Sequence, residues 1–349
     1  MQTILVVGGA GYIGSHMVKA LAQAGYVPLV LDNLSTGFAD AVSRGELIIG
    51  SMADRQLLDT VFRQRKITAV MHFAAYSQVG ESMREPGKYY RNNVAGTQVL
   101  LDAMVEHGVA SLVFSSTAAV YGNPLRTPID ETHPKTPVNP YGKSKWMVEQ
   151  MLADYDRAWG LRSIALRYFN AAGADPEVML GERHSPKTHL IPLVLQAGLG
   201  ERDAITVYGT DYETPDGTCI RDYIHVEDLC SAHLLALQAL LGGAASEAYN
   251  LGNGEGFSVN EVIKSTENVL QRPILVVPGE RRSGDPSILI ADSRRACEEL
   301  GWAPRYPQLE QIIRHAAAWE RVRDNLPRGT MRTDRTRVAN GCKLAVKQR

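Results

Sequence analysis

The sequence has few cysteines, no excess of either charge and no long apolar run, and each of these absences excludes a class of protein. Its four cysteines show no CxxC or metal-like spacing, so they offer neither a disulfide framework nor a zinc site. We interpret them as unpaired thiols of a reducing compartment: Cys219, Cys230, Cys297 and Cys342. With 37 basic and 38 acidic residues, the net charge of -1 gives no field that favours nucleic acid or an anionic membrane, so a small-molecule partner is expected.

Membrane and export signals are also missing from the pattern. No apolar run approaches the roughly 20 residues of a membrane span. An apolar strand pattern begins at Thr3 without a basic leader or a cleavage site, and we therefore expect a cytoplasmic protein. The 349 residues are enough for one large domain or two modest ones, with a core that needs no disulfide or metal.

Short apolar runs recur between helical patterns without alternating between apolar and polar residues. The runs are TILVV (3–7), VPLVL (27–31), ELIIG (46–50), AVMHFAA (69–75), SLVFSS (111–116) and SIALRYFN (163–170). Such runs are typical of parallel strands that helices cover on both faces. Between the first two, residues three or four positions apart predict one apolar helical face, namely Ile13, Met17, Leu21 and Ala24. Gly25 marks the end of that helix, and the repeated β-α-β order predicts an α/β fold with a doubly wound parallel sheet.

The stretch VVGGAGYIGSH (6–16) follows the first predicted strand and opens the first predicted helix. In this position Gly8 permits a sharp turn, Gly11 lets a phosphate approach the backbone, and Gly14 allows the helix to pack closely on the strand. The helix N-terminus then offers unpaired N–H groups to a pyrophosphate. Glycines also serve plain turns, but this context favours a dinucleotide and a Rossmann-like domain.

Asp32 ends the second apolar run, 18 residues after Gly14. A carboxylate at about this spacing accepts hydrogen bonds from the adenosine ribose and repels a 2′-phosphate. The next Lys or Arg in the chain is Arg44, so the pattern favours NAD over NADP. The alternative is that Asp32 only opens the turn DNLSTG.

The segment NPYGKSK places Tyr141 and Lys145 four residues apart, after a proline suited to a first helical turn. On a helix, the phenol and the ammonium would project from the same face. A free tyrosine has a pKa of about 10. The lysine, together with a positive nicotinamide, would lower the pKa of the phenol and make it a base near neutral pH. Taken alone, such a pair is common on helix surfaces, and its place downstream of a dinucleotide loop is what favours catalysis.

The sequence pattern changes after Gly173, where segments that contain Pro, Gly and His replace the βα repeats. We predict an NAD-binding Rossmann-like domain over residues 1–172, which includes Tyr141 and Lys145. A smaller mixed lobe that mainly binds substrate is predicted over residues 173–325, with the chain returning to the first domain. Residues 326–349 are basic and have few large apolar side chains, so we expect a flexible tail, or alternatively an arm that binds nucleic acid or a partner.

The motifs GxxGxxG, DNLSTG, HFAA, NNVAGT, FSSTAAVYG, YxxxK, RYFNAAG and GTCIRDYIHV follow one another along the chain. Over residues 3–320 the chain resembles the extended short-chain dehydrogenase/reductase family, and RYFNAAG, RDYIHV and ERRSGDP point to its nucleotide-sugar epimerases. The resemblance implies an NAD-dependent isomerase of carbohydrate metabolism that interconverts UDP-glucose and UDP-galactose. It would do so by oxidation at C4, a 4-keto intermediate, and return of hydride to the opposite face.

The resemblance also implies a role for individual positions. Tyr141 resembles the base, Lys145 its partner, and Thr117 the hydroxyl that hydrogen-bonds the sugar 4-oxygen. The positions that resemble NAD contacts are Gly8, Gly11, Tyr12, Ile13, Gly14, Asp32, Asn33, Leu34, Ser35, Thr36, Gly37, Ser51, Met52, Phe73, Ala74, Ala75, Ser77, Asn92, Ser115, Tyr141, Lys145, Tyr168 and Phe169. The positions that resemble UDP-sugar contacts are Thr117, Tyr141, Asn170, His189, Leu190, Thr206, Val207, Tyr208, Arg221, Arg282, Asp285 and Leu289.

Two positions depart from the family pattern. Ser51 stands where a carboxylate often contacts adenine, and Ser77 stands where a lysine is common after HFA. The residues after Thr117 select the reaction, because related dehydratases and decarboxylases carry a carboxylate there and this chain has Ala118 and Ala119. The sequence therefore favours epimerisation. The alternatives are a uronate-specific epimerase and an NAD-sensing protein without turnover.

Several substrate-side positions admit a second interpretation. Arg221 and Arg282 could grip a diphosphate bidentately or could form structural salt bridges. His189, beside LIP, could equally be a packed core residue. Leu289 is smaller than the tyrosine that some family members carry, so we expect room for a 2-acetamido group and some turnover of UDP-N-acetylglucosamine and UDP-N-acetylgalactosamine. No metal site is expected.

Two predicted helical stretches could form an interface between subunits. They are KYYRNNVAGTQVLLDAMVEH (88–107) and YGKSKWMVEQMLADY (141–155). Their apolar positions could bury a helical bundle in a homodimer, as in relatives, or could face only the parent sheet. We expect the homodimer.

Overall fold

A seven-stranded parallel sheet dominates the computed structural model, which describes residues 1–282 and 286–323. The strands in chain order are β1 (Thr3–Val7), β2 (Val27–Asp32), β3 (Glu46–Ile49), β4 (Ile67–His72), β5 (Ser111–Thr117), β6 (Arg162–Tyr168), β7 (Asn170–Ala172), β8 (Ile205–Tyr208), β9 (Ile220–Arg221), β10 (Tyr223–His225), β11 (Glu247–Leu251), β12 (Phe257–Ser258), β13 (Val276–Gly279) and β14 (Ile288–Leu289). The order in the large sheet is β11-β6-β5-β4-β1-β2-β3. Its adjacent strands run parallel.

Helices cover both faces of this sheet and build most of the second lobe. In chain order they are α1 (Tyr12–Gln23), α2 (Arg55–Gln64), α3 (Val79–Arg84), α4 (Pro86–Tyr89), α5 (Gly96–Glu106), α6 (Pro140–Trp159), α7 (Leu190–Leu199), α8 (Val226–Leu241), α9 (Val259–Leu270), α10 (Arg294–Leu300) and α11 (Leu309–Val322). A π-helical turn, Tyr90–Ala95, joins α4 to α5. None of these helices combines the length and the apolarity that crossing a membrane requires.

An inner strand of the large sheet, β1, explains why the sheet is buried on both sides. In β1, Ile4 and Val6 face one layer of the core, whereas Leu5 and Val7 face the other. All four are at most 1% exposed. The first layer includes side chains of α1 and α8, and the second includes side chains of α2, α5 and α6. A strand in this position gains from apolar residues at every position, so its sequence does not alternate.

The predicted doubly wound parallel sheet is confirmed, with six of its strands falling on the six apolar runs. The first helix also agrees with its pattern, since it ends at Gln23 and Gly25 adopts a φ of +84° after it. The seventh strand, Glu247–Leu251, was not predicted. Its sequence, EAYNL, is short and contains a buried asparagine, Asn250, so it does not form an apolar run that would predict a strand.

The second lobe is built around three small sheets and the helices α7, α9 and α11. Strand β8 pairs with β13, β7 pairs with β10, and β9 lies between β12 and β14. In the last of these sheets, Arg221 of β9 is the direct partner of Leu289 of β14. Between these segments, α8 packs on α1 and β11 joins the large sheet. The predicted boundaries at 172 and 325 stay predictions, and the predicted tail, 326–349, lies outside the described residues.

Candidate active site

A cavity of about 1100 Å³ lies at the carboxyl ends of the large sheet and extends into the second lobe. Its wall includes the last residues of β1, β2, β5 and β6 or the residues that follow them. Ligands of open α/β sheets bind at these strand ends. Pockets for a single ligand typically occupy about 300–1,000 Å³. The volume of this cavity lies just above that range.

Most of the residues named from the sequence line this one cavity. On the cofactor side these are Gly8, Gly11, Tyr12, Ile13, Gly14, Asp32, Asn33, Ser35, Thr36, Ser51, Met52, Phe73, Ala74, Ala75, Ser77, Asn92, Ser115, Tyr168 and Phe169. With Thr117, Tyr141 and Lys145, the substrate side adds Asn170, His189, Leu190, Thr206, Tyr208, Arg221, Arg282 and Leu289. The structure thus brings together positions that are up to 281 residues apart in the chain, from Gly8 to Leu289.

Three named residues do not line the cavity, and a fourth cannot be placed. Val207 is 2% exposed and belongs to the core, because β8 turns Thr206 and Tyr208 to the opposite side. A Cβ on Gly37 would lie 2.8 Å from the carbonyl carbon of Ala10, so this glycine packs behind the glycine turn. Leu34 adopts a φ of 57° in the turn after β2. Asp285 lies outside the described residues.

The glycines of the first turn differ in what surrounds them. Gly8 has a φ of +85°, and a Cβ on it would lie 2.4 Å from the nitrogen of Ala74. A Cβ on Gly14 would lie 2.1 Å from the oxygen of Gly8, so helix and strand touch there. A Cβ on Gly11 would meet only the oxygen of Gly8, at 3.4 Å. Packing therefore requires Gly8 and Gly14 to be glycines, whereas Gly11 leaves open space toward the cavity.

The start of α1 is suited to a phosphate. Its N-cap is Gly11, which offers no side chain to the first N–H groups, and the first turn carries no acidic residue. Such an end keeps backbone donors and a positive dipole for an anion. The open space at Gly11 lies at the same point, so the residues present fit the pyrophosphate of a dinucleotide.

Asp32 has a structural role in addition to its place in the cavity wall. One oxygen accepts a hydrogen bond from the backbone N–H of Ala10 at 2.9 Å, and the other accepts one from Leu34 at 2.8 Å. The first bond ties the glycine turn to the end of β2. The second bond lies within the turn DNLSTG, which the alternative interpretation of Asp32 predicted. Since a carboxylate has about four acceptor sites, both bonds leave capacity for ribose hydroxyls.

Tyr141 and Lys145 lie in the first turns of α6. Asn139 caps this helix by accepting a hydrogen bond from Gly142 at 2.8 Å, and Pro140 occupies its first turn. The Thr117 side chain lies close enough to the Tyr141 phenol to lower its pKa, against the larger effect of burial. The Lys145 ammonium donates to the carbonyl oxygen of Ser115 at 2.7 Å. Helix α6 and the end of β5 thus place a phenol, a hydroxyl and an ammonium in one part of the cavity.

Burial dominates the electrostatics of this pair. It raises the pKa of Tyr141, and the Thr117 side chain only partly opposes this shift. Burial also lowers the pKa of Lys145 to about 7, against the raising effect of the Glu149 carboxylate. In the cofactor-free protein the Tyr141 pKa is thus raised, and the predicted joint lowering by Lys145 and a positive nicotinamide stays a prediction. Both pKa shifts arise because the two side chains are buried away from water, and because the ammonium donates to a neutral carbonyl instead of a carboxylate.

The two arginines named from the sequence are partly engaged with the protein. Arg221 donates to the backbone oxygen of Ile220 at 2.7 Å. The guanidinium of Arg282 lies 4.1 Å from the centre of the Tyr208 ring. Leu289 packs with Ala118, Tyr121 and Phe169 in a small apolar cluster. These backbone and cation–π contacts orient the two guanidinium groups at the cavity wall.

His189 is neither a packed core residue nor an isolated one. Its ring is half exposed, and its Nδ1 lies 3.0 Å from Oε1 of buried Glu182, which also pairs with Nδ1 of His184 at 3.1 Å. Burial disfavours the charged ring, but Glu182 overrides this effect and raises the pKa of His189. The ligand atoms of these three residues lie within 4.8 Å of one another, so they could also hold a cation. The ion pairs already account for the arrangement.

Several cavity residues were missed by the sequence analysis. Glu182 and His184 lie on the wall beside His189, and Lys187 forms a buried ion pair with Glu320 of α11. The segment GERHSPKTHLIP is dense in polar residues, which could have drawn attention to it. The pairing with Glu320, more than 130 residues away, has no local sequence signal.

Comparisons with known proteins establish the family of this chain. The chain belongs to the NAD dependent epimerase/dehydratase family, whose model matches residues 4–252. It is 52% identical over 320 residues to a UDP-glucose 4-epimerase of Halalkalibacterium halodurans, covering 92% of this chain and 96% of that protein. A UDP-glucose 4-epimerase of Rhizobium meliloti is 51% identical over 323 residues, covering 93% and 98%. The resemblance inferred from the motifs is thereby confirmed.

Solved structures of such enzymes share the fold. The structure of UDP-glucose 4-epimerase from Brucella ovis in complex with NAD matches with a TM-score of 0.89 at 51% identity, covering 91% of this chain and 98% of that one. The structure from Bifidobacterium longum in complex with NAD+ and UDP matches with a TM-score of 0.88 at 37% identity, covering 93% and 99%.

Proposed function

We propose that this chain is an NAD-dependent epimerase that interconverts UDP-glucose and UDP-galactose at C4. The proposal rests on one observation: two groups of residues line the same cavity. The glycine turn and the uncapped start of α1 form one part of its wall, and Tyr141 and Thr117 form another. A dinucleotide and a hydroxyl to be deprotonated can therefore be held side by side.

The cofactor side fits NAD. Gly11 and the first N–H groups of α1 would hold the pyrophosphate, and Asp32 would accept hydrogen bonds from the adenosine ribose. Arg44 is the next Lys or Arg in the sequence after Asp32, so the turn that follows β2 offers no cation of its own to a 2′-phosphate. When bound, NAD would accept the hydride from C4 and later return that hydride to the sugar.

The chain's own residues carry the proton and hold the substrate. Tyr141 Oη would remove the proton of the sugar 4-hydroxyl and later give it back, while Thr117 orients the same hydroxyl. Arg221 and Arg282 would bind the diphosphate. This grip lets the 4-keto sugar turn and present its other face without leaving. Ala118 and Ala119 offer no acid or base for elimination, which supports epimerisation over dehydration or decarboxylation.

Incubation of the purified protein with UDP-galactose, without added NAD, tests the proposal. We expect conversion to a mixture with UDP-glucose and no net accumulation of NADH, since the hydride is returned in each turnover. Parallel incubation with UDP-galacturonate separates the uronate-specific alternative. Turnover of the uronate alone, or a strict need for added NAD with stoichiometric NADH, would contradict the proposal.

The sugar pocket supports a second substrate class. Leu289 lies against Ala118 and Phe169 at the cavity, where a tyrosine ring would take more room. We expect turnover of UDP-N-acetylgalactosamine by the wild type, and a loss of about 10-fold to 200-fold in its kcat/KM for Leu289→Tyr. Activity on UDP-galactose should change much less. Equal effects on both substrates would show that this side chain does not gate the pocket.

We further propose a homodimer in a reducing compartment such as the cytoplasm. On α6, Met147 exposes 41% of its surface, and Met151, one turn further along, is partly buried. On α5, Val99 is also partly buried. Such side chains can cover each other across a two-fold axis. No disulfide joins the three cysteines of the described residues.

Light scattering in solution measures the assembly directly. We expect a molar mass of twice the 38.2 kDa of one chain. Met147→Glu should shift this value toward the monomer, because a carboxylate would be buried at the interface. A monomeric wild type would leave these helices facing only their own sheet.

A further inference from the structure

A buried network of charged and polar side chains lies directly behind Tyr141 and Lys145. At its centre, Arg167 Nε donates to both oxygens of Glu149 at 3.0 and 3.1 Å, and Arg167 Nη2 donates to one of them at 2.5 Å. The two side chains are only 5% and 6% exposed. Arg167 Nη1 also donates to the Tyr121 hydroxyl at 3.0 Å, which in turn donates to Asn250 at 2.6 Å. This network does not line the cavity and touches no ligand site.

Glu149 lies on the same face of α6 as Tyr141 and Lys145, the two residues of the proposed chemistry. Tyr141, Lys145 and Glu149 are spaced four residues apart on α6, so they share one face of the helix. That face is turned to the end of β5. Glu149 Oε1 accepts a hydrogen bond from the hydroxyl of Ser116 at 2.5 Å. The residue before Ser116 accepts the bond from Lys145, and the residue after it is Thr117. Glu149 therefore ties the strand that bears Thr117 to the helix that bears Tyr141.

The surroundings of Lys145 show why a carboxylate is needed there. The ammonium is 3% exposed and donates to a neutral carbonyl. A buried ammonium without a negative charge nearby would lose its proton. The other titratable groups around it cannot supply that charge. His72 of β4 hydrogen-bonds Thr97, and burial and the charge of Lys145 keep the His72 pKa at about 3.

The remaining neighbours are also unsuited to balancing the ammonium. Arg167 of β6 is a cation, and burial raises the pKa values of Tyr141 and of Tyr168 of β6, so both phenols are held neutral. Glu149 is the charged group that acts on Lys145, and it raises the lysine pKa against the effect of burial. A buried ion pair that served packing alone could be replaced by apolar groups at little cost. The Glu149–Arg167 ion pair lies beside Lys145, so we assign its carboxylate a role beyond packing.

We propose that Glu149 is a positioning residue of the active site, which keeps the Lys145 ammonium charged and holds the end of β5 against α6. It acts through Lys145 and Ser116 and touches neither the sugar nor the cofactor. This inference rests on the proposed epimerase function for its kinetic consequence. Its effect on Lys145, however, belongs to the protein alone and can be measured without any ligand.

Glu149→Gln tests the charge while keeping an oxygen that can accept from Ser116. We expect the alkaline limb of the kcat–pH profile to move down by about 1–2 pH units, from the interaction of unit charges about 6 Å apart at an effective dielectric constant of about 20. The ¹³Cε chemical shift of Lys145 in cofactor-free protein should report the same downward shift, with the resonance assigned by Lys145→Arg. A residue that only supported the fold would lower kcat without moving either midpoint.

Three further variants separate charge from structure. Ser116→Ala removes the hydrogen bond and keeps the charge, so kcat should fall while the alkaline limb stays. Asp154→Asn removes an exposed carboxylate from the same helix and should change neither quantity. If Glu149→Gln leaves buried Arg167 unpaired and does not fold, Glu149→Gln with Arg167→Met removes both charges. The double variant should still show the downward shift, because Glu149 is the charge that raises the Lys145 pKa.

The outcomes are distinguishable. If the wild type does not convert UDP-galactose, the proposed function fails, and the Lys145 titration still decides the role of Glu149. If the wild type is active but the Lys145 titration and the alkaline limb coincide in wild type and folded variant, the inference is overturned.

Discussion

Tyr141→Phe will leave the protein folded and able to bind NAD, but will lower kcat for UDP-galactose by about 10²-fold to 10⁴-fold. This range is the usual contribution of a positioned general base. The substitution removes one oxygen, which lies close to the side chain of Thr117. Thr117 accepts from the N–H of Ala119 at 3.1 Å, so it keeps a partner in the variant. Activity is measured as the rate of UDP-glucose formation, and NAD content is measured on the purified proteins.

A matched control lies on the same helix. Tyr155 is also in α6, and its hydroxyl hydrogen-bonds Asp102 away from the cavity. Tyr155→Phe should therefore retain activity within a few-fold, even if it loses some stability. Retention of more than about a tenth of the wild-type kcat by Tyr141→Phe would remove the phenol from the role of base.

The same variant has an expected signature in pH. Because burial raises the pKa of Tyr141, the phenolate fraction in the cofactor-free protein grows only as the pH rises. A positive nicotinamide ring in the cavity would favour the phenolate and lower this pKa. We expect the wild-type rate to increase with pH on its acid limb, and this dependence to be absent from the residual rate of Tyr141→Phe.

Gly11→Ala will bind NAD more weakly but keep the stability of the cofactor-free protein, whereas Gly14→Ala will lose both. At Gly11 the backbone has a φ of -80° and a ψ of 179°, which alanine adopts freely, and the added Cβ would meet only one atom at 3.4 Å. The methyl group would instead occupy the open space that we assign to the pyrophosphate. Overpacking of this kind costs about 1–3 kcal/mol, or about 5-fold to 150-fold in NAD affinity.

At Gly14 the same methyl group meets the protein. Its Cβ would lie 2.1 Å from the oxygen of Gly8 and 2.8 Å from the Cα of Gly9, so helix α1 must move away from β1. We expect a loss of about 3 kcal/mol or more in the free energy of unfolding. Denaturant unfolding measures stability, and NAD released from the denatured protein measures occupancy. Full NAD occupancy in Gly11→Ala would mean that the gap beside this residue is not the phosphate site.

The fold could be predicted from the sequence where burial is decided within a few residues. The strands buried on both faces are uniformly apolar, and the glycine turn has a fixed relation to the strand before it and the helix after it. Strand β11 could not be found in this way. Its asparagine, Asn250, is buried because it bonds Tyr121, which is 129 residues away in the chain. A polar residue with a distant partner resembles a surface residue in the sequence.

The site shows the same division. The spacing of Tyr141 and Lys145 predicted their common helical face, and the family resemblance added most of the other cavity residues. The direction of the Tyr141 pKa could not be predicted, because it depends on how deeply α6 is buried and on which acceptor the ammonium reaches. The partnership of Lys187 with Glu320 was hidden for the same reason, since it joins the loop before α7 to α11.

The direct pairing of Arg221 with Leu289 in neighbouring strands has a consequence for how substrate range can change. Partner positions of paired strands carry their side chains on the same side of the sheet. One short ladder of backbone hydrogen bonds therefore sets the distance between the proposed anchor for the diphosphate, Arg221, and the proposed wall of the sugar pocket, Leu289. Exchanging the residue at 289 can widen or narrow the pocket while the anchor stays where it is, so new sugars can be accommodated without redesigning the recognition of UDP.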